Sequence, residues 1–227
     1  MSVVLFSGGM DSTALLATRV ATGEDVLAVS VNYGQRHQKE IEAAQTVCEH
    51  FGVSQVVVDL SSLSESLRSA LTGNGEVPDG HYAEDTMRQT VVPNRNAIML
   101  MVAAGIASSH DMNTVYTAVH AGDHYIYPDC RPEFITSASL TASLGTAGFG
   151  DVEIFAPFVN LSKADIASIG AQYEAPFRLT WSCYKGEGVH CGACGTCFER
   201  REAFTLAGVT DPTVYKATPH YEAPEGL

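Results

Sequence analysis

At 227 residues the chain is long enough to bury a full core, and it suits one α/β domain with an appendage better than two equal domains. Thirteen Lys and Arg against 26 Asp and Glu give a formal charge of −13, which repels a polyanion unless the basic residues gather on one face, so large nucleic-acid partners are disfavoured. No apolar stretch approaches the roughly 20 residues that span a bilayer, and the N-terminus already reads as strand, so a soluble protein without a targeting segment is expected.

The first apolar run, Val3, Val4, Leu5 and Phe6, breaks abruptly into Ser7, Gly8, Gly9, Met10, Asp11, Ser12 and Thr13. This is the pattern of a strand delivering a phosphate-binding loop. The two glycines lack Cβ atoms, so the backbone can bend sharply and bring its N–H groups against an anion. Ala14, Leu15, Leu16 and Ala17 resume as helix. The first amides of that helix have no internal partner and carry the positive end of its dipole, and Ser7, Ser12 and Thr13 add hydroxyl donors; a phosphate chain satisfies them all. The loop lacks the Gly-Lys-Ser/Thr ending of the common P-loop, so no lysine is expected here on a terminal phosphate. An ordinary strand-to-helix turn capped by Asp11 or Ser12 is the plainer alternative.

Residues 26–31 form a second apolar run of strand length, ending in the turn signals Asn32, Tyr33 and Gly34. Residues 37–51 place Ile41, Ala44, Val47, Cys48 and Phe51 near the helical period, which makes Cys48 a core thiol. A third strand is predicted over residues 55–60 and a short helix over residues 61–70, completing a strand-helix-strand-helix rhythm. Residues 72–89, broken by glycines and Pro78, read as a long irregular loop of the kind that shapes sites in compact enzymes.

Val92, Pro93, Asn94, Arg95 and Asn96 precede a largely apolar helix over residues 97–108, sandwiched against the sheet, in which Met99 and Met101 are read as packing residues. Residues 114–119 supply the fourth strand. The polar run after it, from His120 and His124 through Asp129, Arg131 and Glu133, therefore falls at a strand's carboxyl end, where open parallel sheets bind ligands. His120 and His124 are equally readable as satisfied surface histidines. A helix over residues 134–144, a fifth strand over residues 152–156 and a helix over residues 162–170 follow, the last opened by Ser162 with Asp165 three residues on, close to a capping box. Lys163 in that first turn is opposed by the helix dipole unless an anion compensates, and is read as a phosphate contact.

Four of the six cysteines, Cys183, Cys191, Cys194 and Cys197, crowd into one short span, with Gly192 and Gly195 following two of them. That is metal-site spacing rather than a spread disulfide framework, and it fits a reducing cytoplasm. Four thiolates can close a tetrahedron around zinc with no position left for water, so the metal staples a loop-rich segment and does no chemistry. An iron–sulfur cluster is the rival occupant. A last helix is predicted over residues 199–207, and the Pro-rich tail beyond Asp211 is expected to drape over the surface or a partner. Residues 1–175 are thus assigned to a nucleotide-binding α/β domain and 176–227 to a zinc-binding segment.

The Ser-Gly-Gly-Met-Asp-Ser loop resembles the PP-loop of ATP pyrophosphatases, which cleave ATP between its α and β phosphates. Together with Tyr-Gly-Gln-Arg-His at 33–37, Val-Pro-Asn-Arg-Asn at 92–96, Tyr-Pro-Asp-Cys-Arg-Pro-Glu-Phe at 127–134 and Leu-Thr-Trp-Ser-Cys-Tyr at 179–184, it resembles the 7-cyano-7-deazaguanine synthase family over nearly the whole chain. The resemblance implies a Rossmann-like adenine-nucleotide α-hydrolase fold with a five-stranded parallel sheet, a homodimer, and conversion of 7-carboxy-7-deazaguanine, ammonia and ATP into the 7-nitrile on the way to queuosine.

On that basis the nucleotide segment comprises Phe6, Ser7, Gly8, Gly9, Met10, Asp11, Ser12, Thr13, Ala14, Leu15 and Leu16, with Ser7, Gly8, Gly9, Asp11, Ser12 and Thr13 holding the β and γ phosphates and magnesium. Lys163 and Arg95, and more weakly Arg36, are the candidates to neutralise charge on pyrophosphate and on the pentavalent phosphorus. Asp129, Arg131 and Glu133 are expected around the deazaguanine, carboxylates accepting from its amino and ring N–H groups and the arginine fork matching its carboxylate. Three other readings share parts of the pattern: a PP-loop enzyme acting on transfer RNA, a relative recruited to modify DNA or protein in a phage or defence setting, and an adenine-nucleotide sensor without catalysis.

Overall fold

The computed structural model describes residues 1–34, 39–67, 69, 91–185 and 188–216. Five parallel strands, β1 (Ser2–Leu5), β2 (Val26–Asn32), β3 (Ser54–Asp59), β4 (Thr114–Tyr116) and β5 (Glu153–Phe155), form one sheet in the order β3-β2-β1-β4-β5. The helices are α1 (Met10–Ala21), α2 (Lys39–Phe51), α3 (Arg95–Ser109), α4 (Pro132–Gly145), α5 (Lys163–Gln172) and α6 (Gly195–Leu206). The chain moves outward from β1 to β3 and then returns by α3 to the other side of β1. The crevice beyond the carboxyl ends of β1 and β4 is therefore the switch point of the sheet.

Successive strand residues point to opposite faces, so the inner strands β1, β2 and β4 feed two cores, whereas β3 and β5 at the sheet's edges feed one. Val3, Leu27, Val29, Val115 and Ile154 join α3 and α4 on one face. Val4, Phe6, Val26 and Ala28 join α1, α5 and α6 on the other, where Phe177 and Phe204 meet edge to face at 5.0 Å. Each such aliphatic side chain contributes about 1.5–3 kcal/mol by leaving water. Ser30 is the buried polar residue of β2, and both sides of its hydroxyl are satisfied: it donates to the carbonyl of Phe6 at 2.7 Å and accepts from Gln55 at 2.8 Å.

The expected rhythm of strands and helices stands, with shifted ends. Helix α1 starts at Met10 rather than Ala14, with Gly9 as its N-cap and no side-chain cap, so neither Asp11 nor Ser12 is the capping residue. The fourth strand is three residues long instead of six, although Thr117 still donates to the carbonyl of Phe155. The short helix after β3 is a 3-10 turn over Ser61–Glu65. Helix α6 begins inside the cysteine cluster, with Cys194 as its N-cap, rather than at Glu199. The predicted capping box at Ser162 and Asp165 is present, the hydroxyl accepting from the Asp165 N–H and the carboxylate from the Ser162 N–H. Cys48 is buried in the core as expected. No helix among the described residues is long and apolar enough to cross a membrane. Arg36, the loop over residues 72–89 and the tail beyond residue 216 lie outside the described residues.

Candidate active site

The glycine loop leaves β1 into the crevice and folds back on itself. Gly8 has φ +80°, and a Cβ there would sit 2.6 Å from both the Ala44 nitrogen and the Glu40 carbonyl oxygen, so α2 can approach this closely only because position 8 is glycine. The Gly9 N–H donates to Ser7 Oγ at 3.2 Å, and the Ser7 and Ser12 hydroxyls lie 3.1 Å apart. These hydroxyls and the first amides of α1 converge at one end of the cavity.

Of the predicted nucleotide segment, Phe6, Ser7, Gly9, Met10, Asp11 and Ser12 line that cavity. Ala14, Leu15 and Leu16 are fully buried in the core beneath it, because α1 is packed between the sheet and α5, and they do not reach the cavity. Thr13 is buried as well, with a hydroxyl that has no hydrogen-bond partner among the described residues.

Opposite the loop, Lys163 at the first position of α5 places Nζ 2.6 Å from Glu199 and 3.3 Å from Asp11. Burial opposes its charge, yet the carboxylates of Asp11, Glu199 and Asp123 together outweigh burial and hold the ammonium above the ordinary lysine range. They supply the compensating anions that a cation at a helix N-terminus requires. Burial pushes Glu199 upward while Lys163 pulls it back. The second Asp11 oxygen is buried and has no hydrogen-bond partner among the described residues. His120, which is 2% exposed, faces Asp123 at 3.6 Å and Asp11 at 4.0 Å through Nε2. Its Nδ1 accepts from the Gly122 N–H, so in the neutral ring the proton sits on Nε2, aimed at these carboxylates.

At the other end, Arg95 lies among aromatic rings: its guanidinium is 5.5 Å from the Tyr33 ring and 5.8 Å from the Tyr127 ring, and donates to the Tyr33 hydroxyl at 3.3 Å. Glu40 and Tyr184 line the same wall. Burial pushes the Glu40 carboxyl up to about 7, with Arg95 pulling the other way.

Asp129, Arg131 and Glu133 do not line this cavity. Asp129 is buried with its carboxylate accepting from the Asn96 N–H at 2.8 Å, where it anchors the first turn of α3. Arg131 is exposed, its Nε donating to the carbonyl of His124, and Glu133 is exposed on the first turn of α4. The residues that sequence reasoning did not single out are Glu40, Asp123, Tyr184 and Glu199. Each comes from a different element; Asp123 lies in the polar run after the fourth strand and Tyr184 ends the motif at 179–184, whereas no local pattern marks Glu40 or Glu199.

The four predicted metal ligands come together. Their sulfurs lie within 4.8 Å of one another, with Cys191 to Cys197 at 3.9 Å and Cys194 to Cys183 at 4.0 Å. Zinc–sulfur bonds of about 2.3 Å in a tetrahedron need sulfur–sulfur edges of about 3.8 Å, so the set fits zinc. Backbone N–H groups of Cys191 and Cys194 turn toward the sulfurs of Cys183 and Cys191, both at 3.3 Å, and stabilise thiolate charge. Arg200, fully buried, ties the approach to this centre together by donating to Thr180, Ser182, the Phe177 carbonyl and Asp211.

A parallel sheet in this order, with a glycine loop opening α1 and a cavity at its switch point, defines a nucleotide-binding protein of the PP-loop class. The NMN synthetase from Francisella tularensis shares the fold, with a TM-score of 0.50 at 16% identity, over 92% of this chain and 77% of that one. Residues 1–208 match the family model described as queuosine biosynthesis protein QueC, and the chain belongs to that family. It is 54% identical over 217 residues to 7-cyano-7-deazaguanine synthase 1 of Mesorhizobium japonicum, covering 95% of this chain and 93% of that protein. It is 53% identical over 215 residues to the 7-cyano-7-deazaguanine synthase of Allorhizobium ampelinum, covering 94% and 92%.

Proposed function

We propose that this chain is an ATP-dependent ligase that converts 7-carboxy-7-deazaguanine and ammonia into 7-cyano-7-deazaguanine for queuosine biosynthesis. The observation that carries the reading is a glycine loop and a lysine facing one another across a switch-point crevice, in a chain more than half identical to synthases of that name. A carboxylate is a poor electrophile because hydroxide leaves badly. Attack of the substrate carboxylate on the α phosphorus expels pyrophosphate and gives an acyl adenylate, and ammonia then displaces AMP to leave the amide. A second adenylation on the amide oxygen, followed by loss of AMP and a proton, gives the nitrile.

The chain's own groups suit these steps. The loop amides with Ser7 and Ser12 hold the departing pyrophosphate, and Lys163 neutralises the charge that builds on it, exchanging a carboxylate partner for phosphate oxygen. Arg95 is the candidate for charge on the α phosphorus. Asp11, with one buried oxygen that has no partner among the described residues, would hold magnesium, which supplies further neutralisation of the phosphates. The cysteine centre, filled by protein sulfur at all four positions, holds zinc as a staple. The reading includes a cytoplasmic homodimer with small-molecule substrates only. The test is to count AMP and nitrile formed together from acid, ammonium and ATP: two AMP per nitrile is expected, and ADP in place of AMP overturns the reading.

A further inference from the structure

We infer that Glu40 reads the amino and ring N–H edge of the deazaguanine, with the rings of Tyr33 and Tyr184 against its faces; this rests on the function proposed above. The sequence pattern pointed to Asp129 and Glu133 for this task, and neither reaches the cavity. Among the described residues the carboxylates that line it are Asp11, Asp123 and Glu40. Asp11 and Asp123 face Lys163 and His120 at the phosphate end. Glu40 stands apart from them, in the first turn of α2, and no hydrogen bond to its carboxyl is made by any described residue.

The chemistry of the ligand matches that position. A guanine-like ring presents an exocyclic amino group and a ring N–H side by side, and a carboxylate offers two acceptors at the same spacing. A flat bicycle also needs ring faces against it. Tyr33 and Tyr184 share this wall, and each interacts electrostatically with Glu40 and Arg95. The backbone carbonyl of Glu40 abuts Gly8, so the backbone that carries this carboxylate is placed directly against the glycine loop. Burial favours the neutral form of this carboxyl, and Arg95, beside it, works against burial toward the ionised form that accepts both hydrogen bonds.

The test measures binding to full-length, metal-loaded protein by calorimetry, using 7-carboxy-7-deazaguanine and the same acid without its 2-amino group. Wild-type protein should prefer the amino-bearing acid. Glu40→Gln, which keeps the shape, should weaken that acid about 10- to 100-fold, the scale of a charge-assisted hydrogen bond, and bring the two acids close to equal while ATP affinity is retained. Tyr184→Leu should weaken both acids alike. The inference is overturned if Glu40→Gln keeps the wild-type preference, or if it loses ATP affinity together with both acids. Wild-type protein that binds neither acid would instead remove the functional reading itself.

Discussion

The backbone N–H of Trp181 donates to the carbonyl of Gly8 at 3.0 Å, so the segment entering the cysteine centre is hydrogen-bonded to the glycine loop near the start of the chain. A second link runs from the same centre: Glu199, two residues beyond Cys197, holds Lys163 at 2.6 Å. A metal held there by four sulfurs, with no open position, would therefore influence the reaction by placing these groups and the neighbouring wall residues Ser182, Tyr184 and Thr196.

Metal removal tests the first link. Trp181 is the sole tryptophan; its indole N–H donates to the Cys183 carbonyl at 3.0 Å and its ring lies 4.3 Å from that of His190. Chelation should shift its emission to longer wavelength, increase cleavage of the chain near residues 181–198 by protease, and weaken ATP binding. Unchanged emission after the metal has demonstrably left would show that the segment holds its shape alone.

Replacing Gly8 by alanine should be severe. The left-handed backbone costs about 1–2 kcal/mol for a residue with a Cβ, and that Cβ would meet backbone atoms of α2 at 2.6 Å, which no rotamer change relieves. Thermal denaturation should show a lower midpoint, and ATP binding should fall more than stability does, because relief of the clash moves the loop away from α2. An alanine variant with wild-type ATP affinity would mean that the close approach is unnecessary.

The fold was legible because its signals are local. Apolar runs of strand length, helical spacing and the Ser162 cap identify elements within a few residues, and the cysteine spacing identifies a metal set. The cavity was only half legible. One end of it is lined from the single stretch Phe6 to Ser12 plus Lys163, a lysine in an anomalous helical position, and both are visible in sequence. Its other wall gathers Tyr33, Glu40, Arg95 and Tyr184 from four separate segments, and only the tertiary fold brings them together. Asp129 misled because a carboxylate at a strand's carboxyl end also serves to anchor a neighbouring helix, as it does with Asn96.

Lys163 and Glu199 should separate by mutation. Lys163→Met removes the charge that faces the pyrophosphate, and AMP formation should fall by roughly 10²–10³, the usual effect of deleting one transition-state charge partner. It should also destabilise the protein, since Asp11 and Glu199 lose a buried counter-charge. Glu199→Gln keeps the ammonium beside Asp11, so its loss of activity should be at least tenfold smaller by the same argument, of the order of one hydrogen bond. Equal losses in the two variants would mean that Lys163 acts only as a structural partner of Glu199.

Glu40 gives stability a pH dependence of known sign. Its carboxyl titrates near 4.5 when unfolded and is pushed up to about 7 in the fold by burial, against the pull of Arg95. Between those values the native protein holds a proton that the unfolded chain has released, so the stability this group contributes is present below 4.5 and is lost as pH rises to about 7, with no further loss above. Glu40→Gln cannot titrate there, and groups common to both proteins cancel in the difference. Denaturation midpoints of the two should therefore diverge across that window, the glutamine variant becoming relatively more stable, and run parallel above it. Adding 7-carboxy-7-deazaguanine to wild-type protein should reverse the trend, because two N–H donors stabilise the ionised carboxylate, and binding should release a proton below neutral pH. A difference that stays flat from pH 4.5 to 7 would mean that Arg95 offsets burial and that the native carboxyl has already lost its proton across that window, as the unfolded one has.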